Sequence, residues 1–190
     1  MQNIVIFGAP GAGKGTHADK LAERYNLYHL STGDCLRAEV ASKSALGQEI
    51  QAIMNRGELV NDDIVTKLVN RAIIEDPRGI LFDGFPRTEQ QAFVLDLLLR
   101  IYHQALSCVI RLDVPRDELI RRIHERAQIS NRKDDQDDSI IQRRLDEYES
   151  KTLPVLEYYR MSGQLVTIDA GGSIEQTQQN IANTLAERFR

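Results

Sequence analysis

The sequence predicts an α/β fold, a five-stranded parallel sheet with helices on both faces. Three observations carry that prediction. Short apolar runs of strand type recur at Ile4–Phe7, Tyr28–Leu30, Ile80–Phe82, Cys108–Leu112 and Leu165–Ile168, with helix-type sequence between them. Such alternation requires crossover connections, and therefore parallel strands covered on both sides. The first run leads directly into Gly8-Ala9-Pro10-Gly11-Ala12-Gly13-Lys14-Gly15-Thr16, a glycine-rich turn that opens a helix. Third, the 190 residues carry 42% hydrophobic and 27% charged side chains, the balance of one globular domain with a sizeable core.

The elements follow in order. The first helix sets Ala18, Leu21 and Ala22 on one face. After the strand at Tyr28, the polar run Ser31-Thr32-Gly33-Asp34 offers caps to a helix over about Cys35–Ser42. A short helix from Leu46 to Asn55 stops at Gly57. Asn61-Asp62-Asp63 caps a helix carrying Ile64, Val65, Leu68, Val69 and Ala72, and Asp76-Pro77-Arg78-Gly79 is a turn. Thr88 opens a helix to about Tyr102, and Pro115 is expected as the first residue of a helix to about Arg126. The polar stretch Gln128–Asp138 interrupts the pattern. A long helix over Ser139–Met161, bent near Pro154, precedes the last strand. Ala170-Gly171-Gly172 then turns the chain, and Ser173 opens the final helix. There is no internal repeat and no low-complexity linker.

Composition excludes several function classes. No apolar run approaches the ~20 residues that span a membrane, and the N-terminus is a strand rather than a signal peptide. Cys35 and Cys108 form neither a CxxC pair nor a disulfide framework, so a cytoplasmic location is expected. A net charge of −4 argues against nucleic acid as a partner. The basic residues divide into 18 Arg and 6 Lys, and Arg is the residue for bidentate contact with phosphate oxygens.

In folds of this class ligands bind beyond the carboxyl ends of the strands, where each conspicuous motif falls. Glycines in the first loop let successive backbone N–H groups face phosphate oxygens, and the following helix adds the positive end of its dipole. Lys14 supplies a mobile charge for the outer phosphates. Gly15 stands where the general phosphate-loop pattern has Ser or Thr, with Thr16 one place later. Asp83, directly after a buried strand in Asp83-Gly84-Phe85-Pro86-Arg87, is suited to hold Mg2+ through water, and Arg87 to grip a second phosphate. Arg122 and Arg126 share a helix face, Arg132 lies in the polar interruption, and Arg143 and Arg144 lie on the next helix. Arg121 and Lys133 read as solvated surface, His29 as packed or capping, His124 as a solvated helix residue, and Cys35 as a small buried one.

The glycine loop, Ser31-Thr32-Gly33-Asp34, Asp83–Arg87 and Arg132-Lys133-Asp134-Asp135, in this order, resemble the adenylate kinase family, and the resemblance covers essentially the whole chain. The Gly-Lys-Gly-Thr ending is the form that nucleoside monophosphate kinases use. The resemblance implies a P-loop nucleoside triphosphate hydrolase-like domain over residues 1–190, with a small helical NMP-binding insertion at about 31–60 and a short lid at about 126–136. Gly11, Ala12, Gly13, Lys14, Gly15 and Thr16 are then expected to hold the ATP phosphates, with Thr16 and Asp83 toward Mg2+. Arg122 is expected against the ATP adenine, Gly172 near it through its backbone, and Arg126 on the ATP phosphates. Thr32, Arg37, Glu58, Leu59, Val60, Gly84, Phe85, Pro86, Arg87 and Gln91 are expected to bind AMP. Arg132 and Arg144 are expected at the AMP phosphate and the phosphoryl group in transfer. A spacing of eleven residues, frequent in the family, selects Arg143; the phrase Arg144-Leu145-Asp146-Glu147-Tyr148 selects Arg144, which is preferred. Many bacterial members have a longer lid that binds zinc through cysteines. Only Ala127–Asn131 separates Arg126 from Arg132 here and no cysteine is near, so no zinc site is expected.

The expected reaction is Mg2+-dependent, reversible phosphoryl transfer from ATP to AMP, giving two ADP, by a monomer that has neither nucleic acid nor membrane as a partner. An AMP phosphate oxygen is already anionic, so no general base is needed; in-line positioning and charge cancellation by Mg2+, Lys14, Arg87, Arg126, Arg132 and Arg144 suffice. Water has to be kept out, and closure of residues 31–60 and of the lid is expected to do so, a motion for which adenylate kinases are a standard example. UMP/CMP kinases share the glycine loop and the Asp-Gly-Phe-Pro-Arg motif but tend to carry Ala at the place of Thr32 and Asn at that of Gln91, so AMP is the expected acceptor, with UMP or CMP the alternative. A GTP-driven switch is disfavoured because the Asn-Lys-x-Asp guanine motif is missing, and a non-catalytic regulator has no need of so many phosphate-facing arginines.

Overall fold

The computed structural model describes residues 2–76, 78–130 and 132–189, and the backbone alone of Lys133. Pro77 of the expected turn, Asn131 of the expected lid and the Lys133 side chain lie outside the described residues. Five parallel strands, β1 (Asn3–Phe7), β2 (Tyr28–Ser31), β3 (Ile80–Asp83), β4 (Leu106–Asp113) and β5 (Leu165–Asp169), pair in the order β2-β3-β1-β4-β5. The α/β sheet expected from sequence is therefore present, with β1 at its centre. Every residue of β1 and β3 is buried, which is why these segments read as continuous apolar runs.

Alternation along each strand divides the core. Val5 and Phe7 enter one cluster with Leu30, Ile80, Phe82 and Val109. Ile4 and Ile6 enter the other with Leu81, Cys108 and Ile110. On the first face lie α2 (Thr32–Ala41), α3 (Ala45–Asn55), α4 (Asp62–Glu75), α5 (Glu89–Ile101) and α8 (Leu153–Met161). On the second lie α1 (Lys14–Tyr25), α6 (Arg116–Ile129), α7 (Asp138–Glu147) and α9 (Ile174–Arg188). Caps expected from sequence form at Asn61, Thr88 and Ser173, the last in a capping box with Gln176.

Four expected boundaries need correction. The helix after β2 begins at Thr32 rather than Cys35, because the Ser31 side chain accepts from the Asp34 N–H and so caps one turn earlier. Pro115 is the cap preceding α6 rather than its first residue, with an extended ψ of 145°. That helix runs on to Ile129, so the polar interruption is shorter than its composition suggests and contains a 3₁₀ turn at Lys133–Asp135. The single long helix over Ser139–Met161 is instead α7, a π-helical turn at Tyr148–Thr152, and α8. Pro154 has no N–H to donate, and the wider turn, in which the Leu153 N–H reaches back five residues to the Tyr148 carbonyl, seats that proline in the first turn of a new helix.

Candidate active site

The loop after β1 takes its form from glycine. Gly11 has φ +88°, and a Cβ there would stand 2.6 Å from the Leu119 carbonyl oxygen, so only glycine lets the loop lie against α6. Helix α1 starts from Gly13 with no side-chain cap and no acidic residue in its first turn. Its opening N–H groups are thus left for an outside anion. Lys14 Nζ folds back over the loop and donates to the carbonyls of Gly8 (2.8 Å) and Ala9 (3.3 Å). Burial pushes its pKa down to about 8, opposed by Asp83 and reinforced by Arg87, Arg144 and Arg126.

Asp83 ends β3 beside this loop and is 8% exposed. Burial alone would raise its pKa, but neighbouring His29, Lys14 and Arg87 more than offset that and hold it below the usual carboxylate value. His29 is more than a packing residue, correcting the expectation: its Nδ1 pairs with Asp19 at 2.8 Å, and its Nε2 faces Asp83 at 3.6 Å. A single ionised carboxylate in a cleft that Thr16 also lines suits a Mg2+ ion that keeps several waters and arrives on phosphates. It does not make a cage for a resident metal, and among the described residues no group of three His, Cys, Asp or Glu side chains could hold one.

After Asp83 the chain turns at Gly84, whose φ is +83° and whose Cβ would meet Thr32 Oγ1 at 2.7 Å and Arg87 Nη2 at 2.9 Å. Thr32 Oγ1 donates to the Asp83 carbonyl, and Arg87 Nε to that of Gly84. Burial lowers the Arg87 pKa; Asp83 opposes the shift, and Arg144 and Arg37 add to it. Gln91, 3% exposed, accepts from the Arg87 N–H at 2.7 Å and donates to Asp62 at 2.6 Å. One amide hydrogen and one lone pair stay uncommitted, which is what an adenine edge would need.

The arginines are caged by carboxylates. Arg126 makes a bidentate pair with Asp135 (2.7 and 2.9 Å), and Arg144 Nη1 contacts Asp135 at 2.7 Å and Asp134 Oδ2 at 2.9 Å. Asp135 is 1% exposed. Arg37 pairs with Asp34 at 2.5 Å, and Arg132 lies 3.6 Å from the same carboxylate. Arg143 lies outside, paired with Glu58 at 2.7 Å. Arg121 pairs on the surface with Glu118 and Glu125, and His124 with Asp138. Cys35 is half-buried rather than buried.

These groups line one cleft of about 320 Å³ beyond the carboxyl ends of the strands. Of the residues expected from sequence it takes in Gly11, Gly13, Lys14, Gly15, Thr16, Thr32, Arg37, Glu58, Leu59, Val60, Asp83, Gly84, Pro86, Arg87, Gln91, Arg126, Arg132 and Arg144. Ala12 and Phe85 are instead buried, each 1% exposed, beside the cleft. Arg122 and Gly172 meet each other apart from it: Arg122 Nη2 donates to the carbonyls of Gly171 (3.3 Å) and Gly172 (3.2 Å). Sequence reasoning missed Asp34 as an arginine partner, and Glu147, Tyr148 and Thr152 as cleft residues. Pro154 was the one signal for the last three, since it marks the irregular turn that delivers them.

The adenylate kinase family model matches residues 6–164. Curated adenylate kinases of Prochlorococcus marinus, Synechococcus and Leptospira biflexa are 44%, 42% and 40% identical to this chain over 184, 186 and 187 residues. Each alignment covers 97% of this chain and 98%, 99% and 100% of the relative, respectively. With the motifs, the sheet and the cleft in agreement, the chain belongs to the adenylate kinase family.

Proposed function

We propose that the chain transfers the terminal phosphoryl group of ATP to AMP, reversibly, giving two ADP. One observation carries this reading: a phosphate loop with Lys14 and five further cations, Arg37, Arg87, Arg126, Arg132 and Arg144, border a single cleft. The N-terminus of α1 and Lys14 are suited to the donor phosphates, and Arg87 with Thr32, Arg37 and Gln91 to the acceptor. Between them, Arg126, Arg132 and Arg144 can cancel charge on the group in transfer. Mg2+, when bound with the donor, adds further neutralisation, and Asp83 with Thr16 is the set that would hold it.

The Asp135 and Asp34 carboxylates have a role in this scheme. They keep four arginines, Arg37, Arg126, Arg132 and Arg144, from repelling one another before nucleotide arrives, and the phosphates then replace them. We read residues 31–60 as the acceptor-side insertion and 126–136 as a short lid, acting in the cytoplasm as a monomer. Phosphorus NMR with Mg·ATP and, in turn, AMP, CMP, UMP and GMP tests the assignment. ADP appearing fastest with AMP is expected. Faster turnover of CMP or UMP would overturn the acceptor, and ATP loss without any monophosphate would overturn the kinase reading.

A further inference from the structure

His17 lies in α1, directly after the phosphate loop and one turn past Gly13, is 3% exposed, and has no place in the scheme above. Its Cδ2 and Nε2 lie 3.5 and 3.6 Å from where a Cβ on Gly13 would stand, so the ring edge abuts the residue that opens the helix. Its Nδ1 meets Gln178 Nε2 at 2.8 Å, across 161 residues. With the amide nitrogen turned to the ring, Nδ1 accepts and the ring proton sits on Nε2. Gln178 belongs to the first turns of α9, just after the Gly171–Gly172 turn that Arg122 holds by two hydrogen bonds. Gln176, in the same turn of α9, closes on Gly172: its Oε1 would be 2.6 Å from a Cβ there. A chain of contacts therefore runs from the phosphate loop through His17 and Gln178 to the turn gripped by Arg122. At its far end the same helix pair is joined apolarly, by Tyr25 of α1 and Phe189 at the end of α9, rings 5.9 Å apart and edge-on.

We propose that His17, through Gln178, is a positioning residue for donor selection: it fixes the distance between the phosphate loop and the Gly171–Gly172 turn, and so the register in which the edge of the donor's base meets that turn. The inference rests on the reading that the donor's base lies at Arg122 and Gly172. A triphosphate anchored on Gly11–Thr16 can contact that turn only if the spacing suits its base. Loosening the tie widens the gap at one end and leaves the phosphate site intact.

Steady-state kinetics with AMP saturating test this on Gln178→Leu and His17→Phe, with Phe189→Leu and Arg122→Ala alongside. For the first two, KM for ATP is expected to rise about tenfold and the preference for ATP over GTP in kcat/KM to fall by a similar factor, with KM for AMP unchanged. Phe189→Leu loosens the same helix pair where no nucleotide reaches, so it is expected to lower Tm and leave donor selectivity alone. If Phe189→Leu shifts selectivity as much as Gln178→Leu, the tie is merely structural and the proposal fails. It also fails if Gln178→Leu folds normally and discriminates ATP from GTP like the parent. Should Arg122→Ala leave KM for ATP unchanged, the location of the base is wrong, which is a separate failure. Long-range 15N–1H NMR of the histidines supplies a readout without turnover: the His17 Nδ1 shift is expected to be that of a hydrogen-bonded nitrogen and to move in Gln178→Leu, and a shift that this substitution leaves unmoved would remove the Gln178 bond from the argument.

Discussion

The two sides of the cleft are made of different material. On one side the phosphate loop is backbone: glycines at positive φ, the bare N-terminus of α1, and Lys14 held by the Gly8 and Ala9 carbonyls. On the other, charge sits at the ends of long arginine side chains, each kept in place by a carboxylate or a carbonyl. A backbone site is preformed and pays almost no ordering cost when phosphate binds. On the proposed reading the arginine side is provisional, because its partners are to be exchanged for phosphate. One side is built for holding, the other for responding.

Substitutions can separate the two. The largest effect is expected for Lys14→Ala, which removes the one mobile charge of the rigid side. We expect a loss on the order of 10³ in kcat/KM with Tm little changed, since the Lys14 hydrogen bonds go to its own loop and burial already disfavours its charge. A loss below tenfold, measured by a coupled ADP assay, would mean that the backbone carries the donor phosphates without it.

Next comes Asp135→Asn, which strikes the responsive side from beneath. Asp135 pairs with Arg126 and Arg144 while itself nearly inaccessible. Removing its charge leaves two guanidinium groups facing each other, at an expected cost of about 3 kcal/mol. The distinguishing readout is the rise in Tm on adding ATP or ADP: phosphate supplies the missing counter-charge, so that rise is expected to be larger in the variant than in the parent. An equal or smaller rise would show that the arginines do not exchange Asp135 for nucleotide.

The same contrast explains what the sequence could disclose. Glycine spacing after an apolar strand encodes backbone geometry locally, so the loop, Asp83 and the alternation of strand and helix were all legible. The order β2-β3-β1-β4-β5 was not, because strand neighbours are chosen by crossover packing rather than by any local run. Asp134 and Asp135 sit in a polar stretch that reads as solvated, and their burial depends on a 3₁₀ turn folding over Arg126 and Arg144. The His17–Gln178 contact joins residues too distant in sequence for any periodic pattern to reveal. Backbone sites advertise themselves; side-chain partnerships wait for the fold.

A smaller effect is expected from pH, and it has two signs. Lys14 has a pKa of about 8, below its ordinary value because of burial. As pH rises through that value the free enzyme loses the ammonium, so kcat/KM for ATP should fall about tenfold per unit above it. In the nucleotide complex the phosphates favour the charged form, so kcat should hold to higher pH. Stability runs the other way: between about 8 and 10.5 the unfolded chain binds the Lys14 proton more tightly than the folded one, so this residue makes folding more favourable as pH increases. Comparing parent with Lys14→Met isolates both limbs. A limb in kcat/KM that survives unchanged in Lys14→Met belongs to another group.

The smallest effect tests whether the two sides are mechanically joined. Thr152, in the π-helical turn, is 5% exposed and donates to the Arg87 carbonyl at 3.0 Å, while Glu147 at the end of α7 and Tyr148 at the start of the turn line the cleft. The turn also continues α7, which carries Arg144. Thr152 therefore links the Asp83–Arg87 loop to the helix that carries Arg144 through one hydrogen bond in an irregular segment, the kind of segment that recurs at functional sites. Thr152→Val keeps the shape and deletes the donor, leaving the Arg87 carbonyl short of a partner. The expected cost is about 1 kcal/mol in stability. If the link positions Arg87, KM for AMP rises a few-fold while KM for ATP stays put, because the donor side rests on backbone that Thr152 does not touch. Equal changes in the two constants would mean that the turn supports the whole cleft, and that the division between a rigid side and a responsive side stops at α7.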